Sequence, residues 1–325
     1  LNLSNPIINS DFSIGQRGTS FALNNQSQYG LDRWFIFSQP ASTTSRQTTN
    51  DTTNLPNIQY CVRVQRNSGN TSTGALYIHQ PVESANAIPY AGKTVTLSFY
   101  ARAGANYSPT SSIMVATLTT GTGTDQNPYN GYTGAVTAIT QNVTLTTTWQ
   151  RFSYSATLAS NITEFYPQFQ MAPTGTAGTN DYFEVTGVQI DIGSVALPYR
   201  RAAGTIQGER AACERYYVRI DTNGNNYNPL SQGFPAQSTT QVGIPLQFPV
   251  TMRTAPTTLD YANLSVYGGG SGGLGFTAVT SISLTRASLS FAEVLFTVAS
   301  GLTAGLTYRA QPNNAAGYIG ISAEL

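Results

Sequence analysis

Residues 181–220 read DYFEVTGVQIDIGSVALPYRRAAGTIQGERAACERYYVRI. The segment Tyr182–Ile192 has the alternation of a strand with one defect. Phe183 and Val185 are apolar at odd positions, whereas Val188, Ile190 and Ile192 are apolar at even positions. Side chains alternate faces along a strand, so the apolar face survives this change of parity only if one extra residue is inserted. Thr186-Gly187 is the place for it, because glycine accepts the backbone angles of a β-bulge. Gly193 and Pro198 end the strand. From Thr205 the spacing turns helical: Ile206, Cys213 and Tyr217 recur near helical intervals, Thr205 is a capping residue and Glu209 lies in the first turn. The reading is a strand that closes one domain, then a short helix ending near Tyr217, then a second domain.

Upstream, short alternating segments dominate. Gln59 to Arg66 places Tyr60, Val62 and Val64 on one face. Gly92 to Ala103 places Val95, Leu97, Phe99 and Ala101 opposite Thr96, Ser98, Tyr100 and Arg102. Leu76 to Glu83 and Ile113 to Thr119 read as strands. So do Trp149 to Leu158, with Phe152, Tyr154, Ala156 and Leu158 sharing a face, and Phe165 to Met171, with Phe169 and Met171 inward. Trp34, in the apolar run WFIF, is expected in the core. Gln39 to Asn57, rich in Ser, Thr, Asn and Gln, reads as a long loop, and so does Asp125 to Gly134. Strands separated by turn-rich loops, with no long helical pattern, predict an antiparallel sandwich. Downstream, Gln241 to Arg253 reads as a strand, and Ser281 to Leu284 with Ser288 to Val298 as a pair. Prolines 235, 245, 249 and 256 place their segments at sheet edges or in loops. Tyr267 to Gly275 (YGGGSGGLG) lacks the lysine of a phosphate-binding loop and reads as flexible hairpin sequence.

Composition bounds the function. The 325 residues suffice for two domains. Only 10% are charged, and the net charge of +1 with a pI near 7.9 offers no basic excess for a phosphate backbone, which argues against nucleic-acid binding. No run of about 20 apolar residues is present, so no membrane insertion is expected. The two cysteines, Cys61 and Cys213, fall one in each domain and read as buried free thiols.

Several motifs are similar to those of bacteriophage tail-fibre and virion-fibre proteins. They are NPIINSDFSIGQRGTSF at 5–21, read as a first strand; DRW at 32–34; the 76–103 region; EVTGVQIDIGSVALPYRR with ERAACERYY; FPVTMR before Ala255-Pro256; and the ending AAGYIGISAEL. The resemblance implies an all-β chain. A jelly-roll β-sandwich of carbohydrate-binding-module type would occupy 1–200, a linker and short helix 201–220, and a smaller antiparallel β domain 221–325. It implies a virion location on tail or capsid, other virion proteins and host surface polysaccharide as partners, and a homotrimer. The expected role is non-enzymatic host attachment; the alternatives are a docking or decoration protein without sugar affinity, and a polysaccharide depolymerase. No cofactor is expected beyond a structural Ca²⁺, for which Asn9, Asp11 and Asp181 fall near the first and last strands of the jelly roll.

Candidate chemistry follows from residue type. His79 is the only histidine and has no nucleophile-elbow motif beside it, which argues against a serine triad and against zinc. A glycosidase needs two converging carboxylates, and Glu83, Glu164, Asp181, Glu184 and Asp191 are available. Sugar binding combines exposed aromatic rings with amides and carboxylates. Tyr107, Tyr129 and Tyr132 lie in polar loops near Asp125, and Tyr227 lies beside Asn225 and Asn226. Each of these tyrosines reads equally as a ring packed on its own loop.

Overall fold

The structure is a computed structural model that describes residues 4–270 and 273–325. The chain divides into two compact units, one of residues 4–212 together with Leu325, the other Cys213–Glu324. Both are antiparallel β structures.

The first unit is a jelly-roll sandwich of two six-stranded sheets. One sheet contains β1 (Ser20–Leu23), β4 (Ser42–Thr48), β5 (Tyr60–Arg66), β7 (Thr94–Ala103), β10 (Gln150–Thr157) and β12 (Tyr182–Ile192), in the spatial order β1-β4-β5-β12-β7-β10. The other contains β2 (Gln26–Tyr29), β3 (Phe35–Ser38), β6 (Leu76–His79), β8 (Ile113–Gly121), β9 (Val136–Thr144) and β11 (Glu164–Met171), in the order β2-β3-β6-β11-β8-β9. A short helix α1 (Ser84–Ala87) follows β6. Their inward rows meet in one core that includes Trp34, Val62, Leu97, Phe99, Leu118, Phe169, Val185 and Ile190. Trp34 is fully buried, and its indole N–H donates to the Asn9 carbonyl at 3.1 Å.

The parity defect in β12 is a bulge. Its pairing with β7 shifts register between Thr186 and Gln189, and Gly187 has φ +60°. A Cβ on Gly187 would lie 2.8 Å from Ile58 Cδ1 and 3.0 Å from the Tyr100 ring, so glycine is required for close approach as well as for backbone angle. The bulge keeps Phe183, Val185, Val188 and Ile190 all in the core.

Three expectations are corrected. Residues 39–57 are not all loop: they contain β4, a Ser/Thr strand whose full length pairs with β5. Its hydroxyl side chains gave no apolar alternation to read. The 5–21 motif is not a strand until Ser20; Asn9 and Phe12 have positive φ, and the Asn9 side chain ties the resulting turns to Ile14 and Asp32. The helix α2 (Ile206–Glu214) stops before Tyr217, which begins β13 (Tyr217–Asp221). Thr205 caps it, its Oγ1 accepting from Gly208 N at 3.1 Å. The units part at Ala212/Cys213, inside this helix.

The second unit has a three-stranded sheet, β13-β21-β16, built from β13, β16 (Thr258–Ala262) and β21 (Tyr318–Ser322). It also has a six-stranded sheet in the order β14-β20-β17-β18-β19-β15, from β14 (Phe234–Pro235), β15 (Gln241–Gln247), β17 (Leu264–Gly270), β18 (Gly273–Ala287), β19 (Phe291–Val298) and β20 (Thr307–Pro312). Pro235 and Pro245 lie on the two edge strands, where a missing N–H breaks no ladder. The glycine-rich segment pairs β17 with β18 up to Gly270 opposite Gly273; Ser271 and Gly272 lie outside the described residues. Val242, Val266, Val294, Phe296 and Ile319 are among its core residues. Cys61 and Cys213 are buried free thiols.

Candidate functional site

The second sheet of the first unit presents an aromatic and amide face on the side away from the core. Because Ile36, Ile78 and Phe169 point inward, their neighbours Phe35, Phe37, Tyr77, His79, Gln168 and Gln170 share the other face. The register aligns them in two rows. Tyr29, Phe35, His79, Gln168, Thr117 and Thr140 form one; Ser27, Phe37, Tyr77, Gln170, Val115 and Asn142 form the next.

The rings stack on one another across the strands. Phe35 and His79 are 5.0 Å apart and 6° from parallel, Phe37 and Tyr77 4.7 Å and 23°, and Tyr77 and His79 5.7 Å and 20°. At these separations near-parallel rings turn their faces to each other. Burial drives the His79 pKa down to about 3, against an opposing pull from the Gln168 side chain, so His79 is a neutral ring of the stack. Burial, with Tyr129 and Tyr166 nearby, pushes the Tyr77 phenol up to about 12.

The loop between β8 and β9 lies over part of this face. Tyr129, 47% exposed, packs on Phe35 at 5.3 Å and Phe37 at 5.9 Å. Tyr132 is buried edge-on against Tyr166 at 5.1 Å. The loop is anchored by side chains. Asp125 and Ser84 bond reciprocally, Ser84 N donating to Asp125 Oδ1 at 2.7 Å and Asp125 N to Ser84 Oγ at 2.9 Å. Gln126 N donates to Glu164 Oε2 at 2.9 Å, and Thr163 Oγ1 donates to the Gly123 carbonyl. Beyond Val115 the face continues into a cleft of about 520 Å³ lined by Thr73, Ile113, Val115, Pro173 and Thr174 among others.

Glu164 is fully buried, and burial raises its pKa above the ordinary carboxylate value, against the lowering effect of the amides of Gln126 and Gly123. A carboxyl with a raised folded-state pKa binds its proton more tightly when folded. Its contribution to stability is therefore fully present below the unfolded value near 4.3 and is lost as pH rises through the folded value. Glu164→Gln, which retains a carbonyl oxygen for Gln126 N, is expected to raise the melting temperature at pH 7 and to leave it nearly unchanged at pH 4. Thermal melts of wild type and variant at both pH values measure this; a variant less stable at pH 7 would refute it.

The structure separates the residues proposed from sequence. Tyr129 and Tyr132 belong to the aromatic face, and Asp125 anchors their loop. Tyr107 does not join them: it packs against the core, its hydroxyl donating to Ile113 O at 3.1 Å, and burial raises its pKa strongly. Tyr227, in the second unit, is 47% exposed and packs on Phe276 at 4.8 Å, which in turn meets Tyr267 at 5.0 Å. Sequence reading does not single out Phe35, Phe37, Tyr77, Tyr166, Gln168 or Gln170, and weighs His79 only for a serine triad or zinc. The signal lies in the outward parity of FIF, YIH and FYPQFQ.

The three residues expected at a calcium site each have other partners. Asp11 is paired with Arg201 at 2.8 Å and Asp181 with Arg66 at 2.8 Å, so each already has its positive partner. The Asn9 side chain is spent on Ile14 and Asp32. No cluster of three or more His, Cys, Asp or Glu suited to a metal ion occurs among the described residues. Two other candidate carboxylates are likewise paired: Glu184 is fully buried between Arg63 and Arg102, and Asp191 meets Arg200 at 2.8 Å.

No protein-family model and no curated protein matches the sequence. Among solved structures, the chain is similar to the enzymatically active domain of tailspike protein 4 of bacteriophage CBA120, at 14% identity and a TM-score of 0.38, over 58% of this chain and 21% of that one. It is similar to the C-terminal family 22 carbohydrate-binding module of Clostridium thermocellum Xyn10B, at 12% identity and a TM-score of 0.33, over 57% of this chain and 100% of that one. It is also similar to TmCBM61, solved with β-1,4-galactotriose, at 10% identity and a TM-score of 0.33, over 58% and 99% of the two chains.

Proposed function

We propose that the chain is a non-enzymatic component of a phage virion fibre or spike, and that the outward face of the β2-β3-β6-β11-β8-β9 sheet binds host-surface glycan. The observation that carries this is the register that sets Phe37 and Tyr77 beside Gln170 and Asn142 on one open face. Apolar rings next to amides are what a sugar requires, since its C–H faces shed water against a ring while its hydroxyls need hydrogen-bond partners. The arginine partners of Asp181, Glu184 and Asp191 support the non-enzymatic reading, because a carboxylate neutralised by an arginine is a poor general acid or nucleophile. The virion assignment rests on the sequence motifs described above. A homotrimer would raise weak single-site affinity by avidity.

A second reading, a docking module without sugar affinity, is favoured by one observation: Phe35 and His79 are buried, so part of the aromatic row serves packing. The experiment that separates the two is light scattering for mass, then a glycan array on the same sample, with wild type, Tyr77→Ala and Tyr129→Ala. Retention of defined sugars, weakened about tenfold or more by Tyr77→Ala (about 1.4 kcal/mol), is expected. Retention lost through Tyr227→Ala instead would move the site to the second unit. Silence on the array would leave the docking reading.

A further inference from the structure

Charge is unevenly divided between the two sheets of the sandwich. Strands β4, β5, β7, β10 and β12 carry Arg46, Arg63, Arg66, Arg102, Arg151, Glu184 and Asp191. Of Asp, Glu, Lys and Arg, the six strands of the aromatic sheet carry one residue, Glu164. Glu164 is fully buried, and its Oε2 accepts from Gln126 N of the loop laid over it. The one titratable base on the sheet, His79, is 1% exposed inside the ring stack. The open part of the face is Tyr77, Gln168, Gln170, Thr117 and Asn142, every one of them half-buried or exposed and uncharged. At the far edge Arg17 lies over the Tyr29 ring at 5.6 Å, and Tyr29 is three strand spacings, or about 14 Å, from Gln168.

Resting on the reading that this face binds glycan, we infer that its ligand is an uncharged glycan, free of carboxylate, sulfate and phosphate. A charged sugar laid on this face would give up hydration without meeting an opposite charge, which is costly unless the ion is paired. A neutral sugar loses only hydroxyl hydration, and the amides of Gln168 and Gln170 replace it, each side chain offering both donors and an acceptor. The two amides are already bonded to each other, Gln168 Nε2 donating to Gln170 Oε1 at 3.2 Å, so they are held in place before a ligand arrives. Binding without ionic contacts is also insensitive to salt, since screening acts only on charges.

The test uses the full chain and paired probes: neutral hexose oligosaccharides, and oligosaccharides of matched length carrying uronate or phosphate. Each is titrated calorimetrically at 50 mM and 500 mM NaCl against wild type and Gln170→Ala, with circular dichroism as the fold check. The expected result is binding of a neutral probe, with Kd changing less than twofold between the two salt concentrations and rising tenfold or more in Gln170→Ala. An acidic probe bound more tightly than its neutral counterpart, losing affinity severalfold at high salt and weakened by Gln170→Ala, would overturn the inference while leaving the glycan-binding face intact. If no probe binds, or if one binds equally to wild type and Gln170→Ala, the reading of the face fails and the inference with it.

Discussion

Arg66→Met is expected to destabilise the first unit by about 3–5 kcal/mol. Arg66 is fully buried, and its guanidinium makes every contact inside the protein. Nε donates to Asp181 Oδ2 at 2.8 Å, Nη1 to the carbonyls of Ser72 and Gly175, each at 2.9 Å, and Nη2 to Thr174 O at 3.1 Å and Ser108 Oγ at 3.3 Å. Asp181, also fully buried, accepts from Ser108 N and Ser108 Oγ as well. Arg66 thus holds together the 72–75, 105–110 and 172–181 connections at one end of the sandwich. Methionine fills much of the same volume, so the loss comes from electrostatics and not from a cavity. It leaves the buried Asp181 carboxylate without its counter-ion and takes the guanidinium away from the carbonyls of Ser72, Thr174 and Gly175. Both tryptophans, Trp34 and Trp149, lie in the first unit, so their fluorescence follows its unfolding in urea without contribution from the second. The pair Arg66→Met/Asp181→Leu is expected to recover part of the loss, because removing both charges removes the unpaired ion. A single-variant loss below about 1 kcal/mol would mean that water reaches Asp181 and that the pair is a surface-like bridge.

The sandwich could be read from the sequence wherever one face of a strand is apolar. Val95, Leu97, Phe99 and Ala101 gave β7 almost residue for residue, and the change of parity in β12 located a bulge that glycine at 187 makes sterically possible. It could not be read where both faces are polar. The strand β4 (STTSRQT) is buried at Ser42 and Thr44, and its membership rests on backbone pairing with β5 and not on any pattern of its own side chains. The strand β9 escaped for a similar reason, its sequence VTAITQNVT alternating too weakly against a Thr-rich background.

The site was half legible. Loop tyrosines 129 and 132 were noticed because they stand in a polar loop, a context that marks a ring as unusual. The strand residues that form the face are harder to single out, because Phe35 and Tyr77 look like ordinary β-prone side chains, and only knowledge of which face of the sheet is covered assigns them a role. Sequence gives the alternation within a strand; the choice between inward and outward belongs to the pairing of six strands at once. The partners of the calcium candidates were illegible for a different reason. Asp11 and Asp181 find their partners 190 and 115 residues away, in Arg201 and Arg66, and no local motif announces an ion pair at that separation.

Trp34→Ala is expected to cost about 3–5 kcal/mol, and to exceed the cost of Trp149→Ala although the two deletions remove the same atoms. Trp34 lies between the sheets. Its ring meets Phe12 at 4.9 Å and Phe169 at 6.5 Å, and its indole N–H satisfies the Asn9 carbonyl in the turns that precede β1. A cavity there is walled by two paired sheets, which cannot close over it without breaking ladders, so most of the cavity energy persists. Trp149 is also buried, but in a small satellite cluster with Leu55, Ile58 and Cys61, beneath Arg102 at 4.8 Å. Its Nε1 donates to Thr49 O, in the segment that leads into the 50–58 loop. That loop and the Arg102 side chain can settle into the space, and water can follow, so part of the cost is relieved. Urea titrations of the two variants, each followed by circular dichroism and by the fluorescence of the remaining tryptophan, give the comparison directly. Equal losses would mean that the cluster outside the sheet is as rigid as the core, and that the 50–58 loop is a fixed third layer of the sandwich.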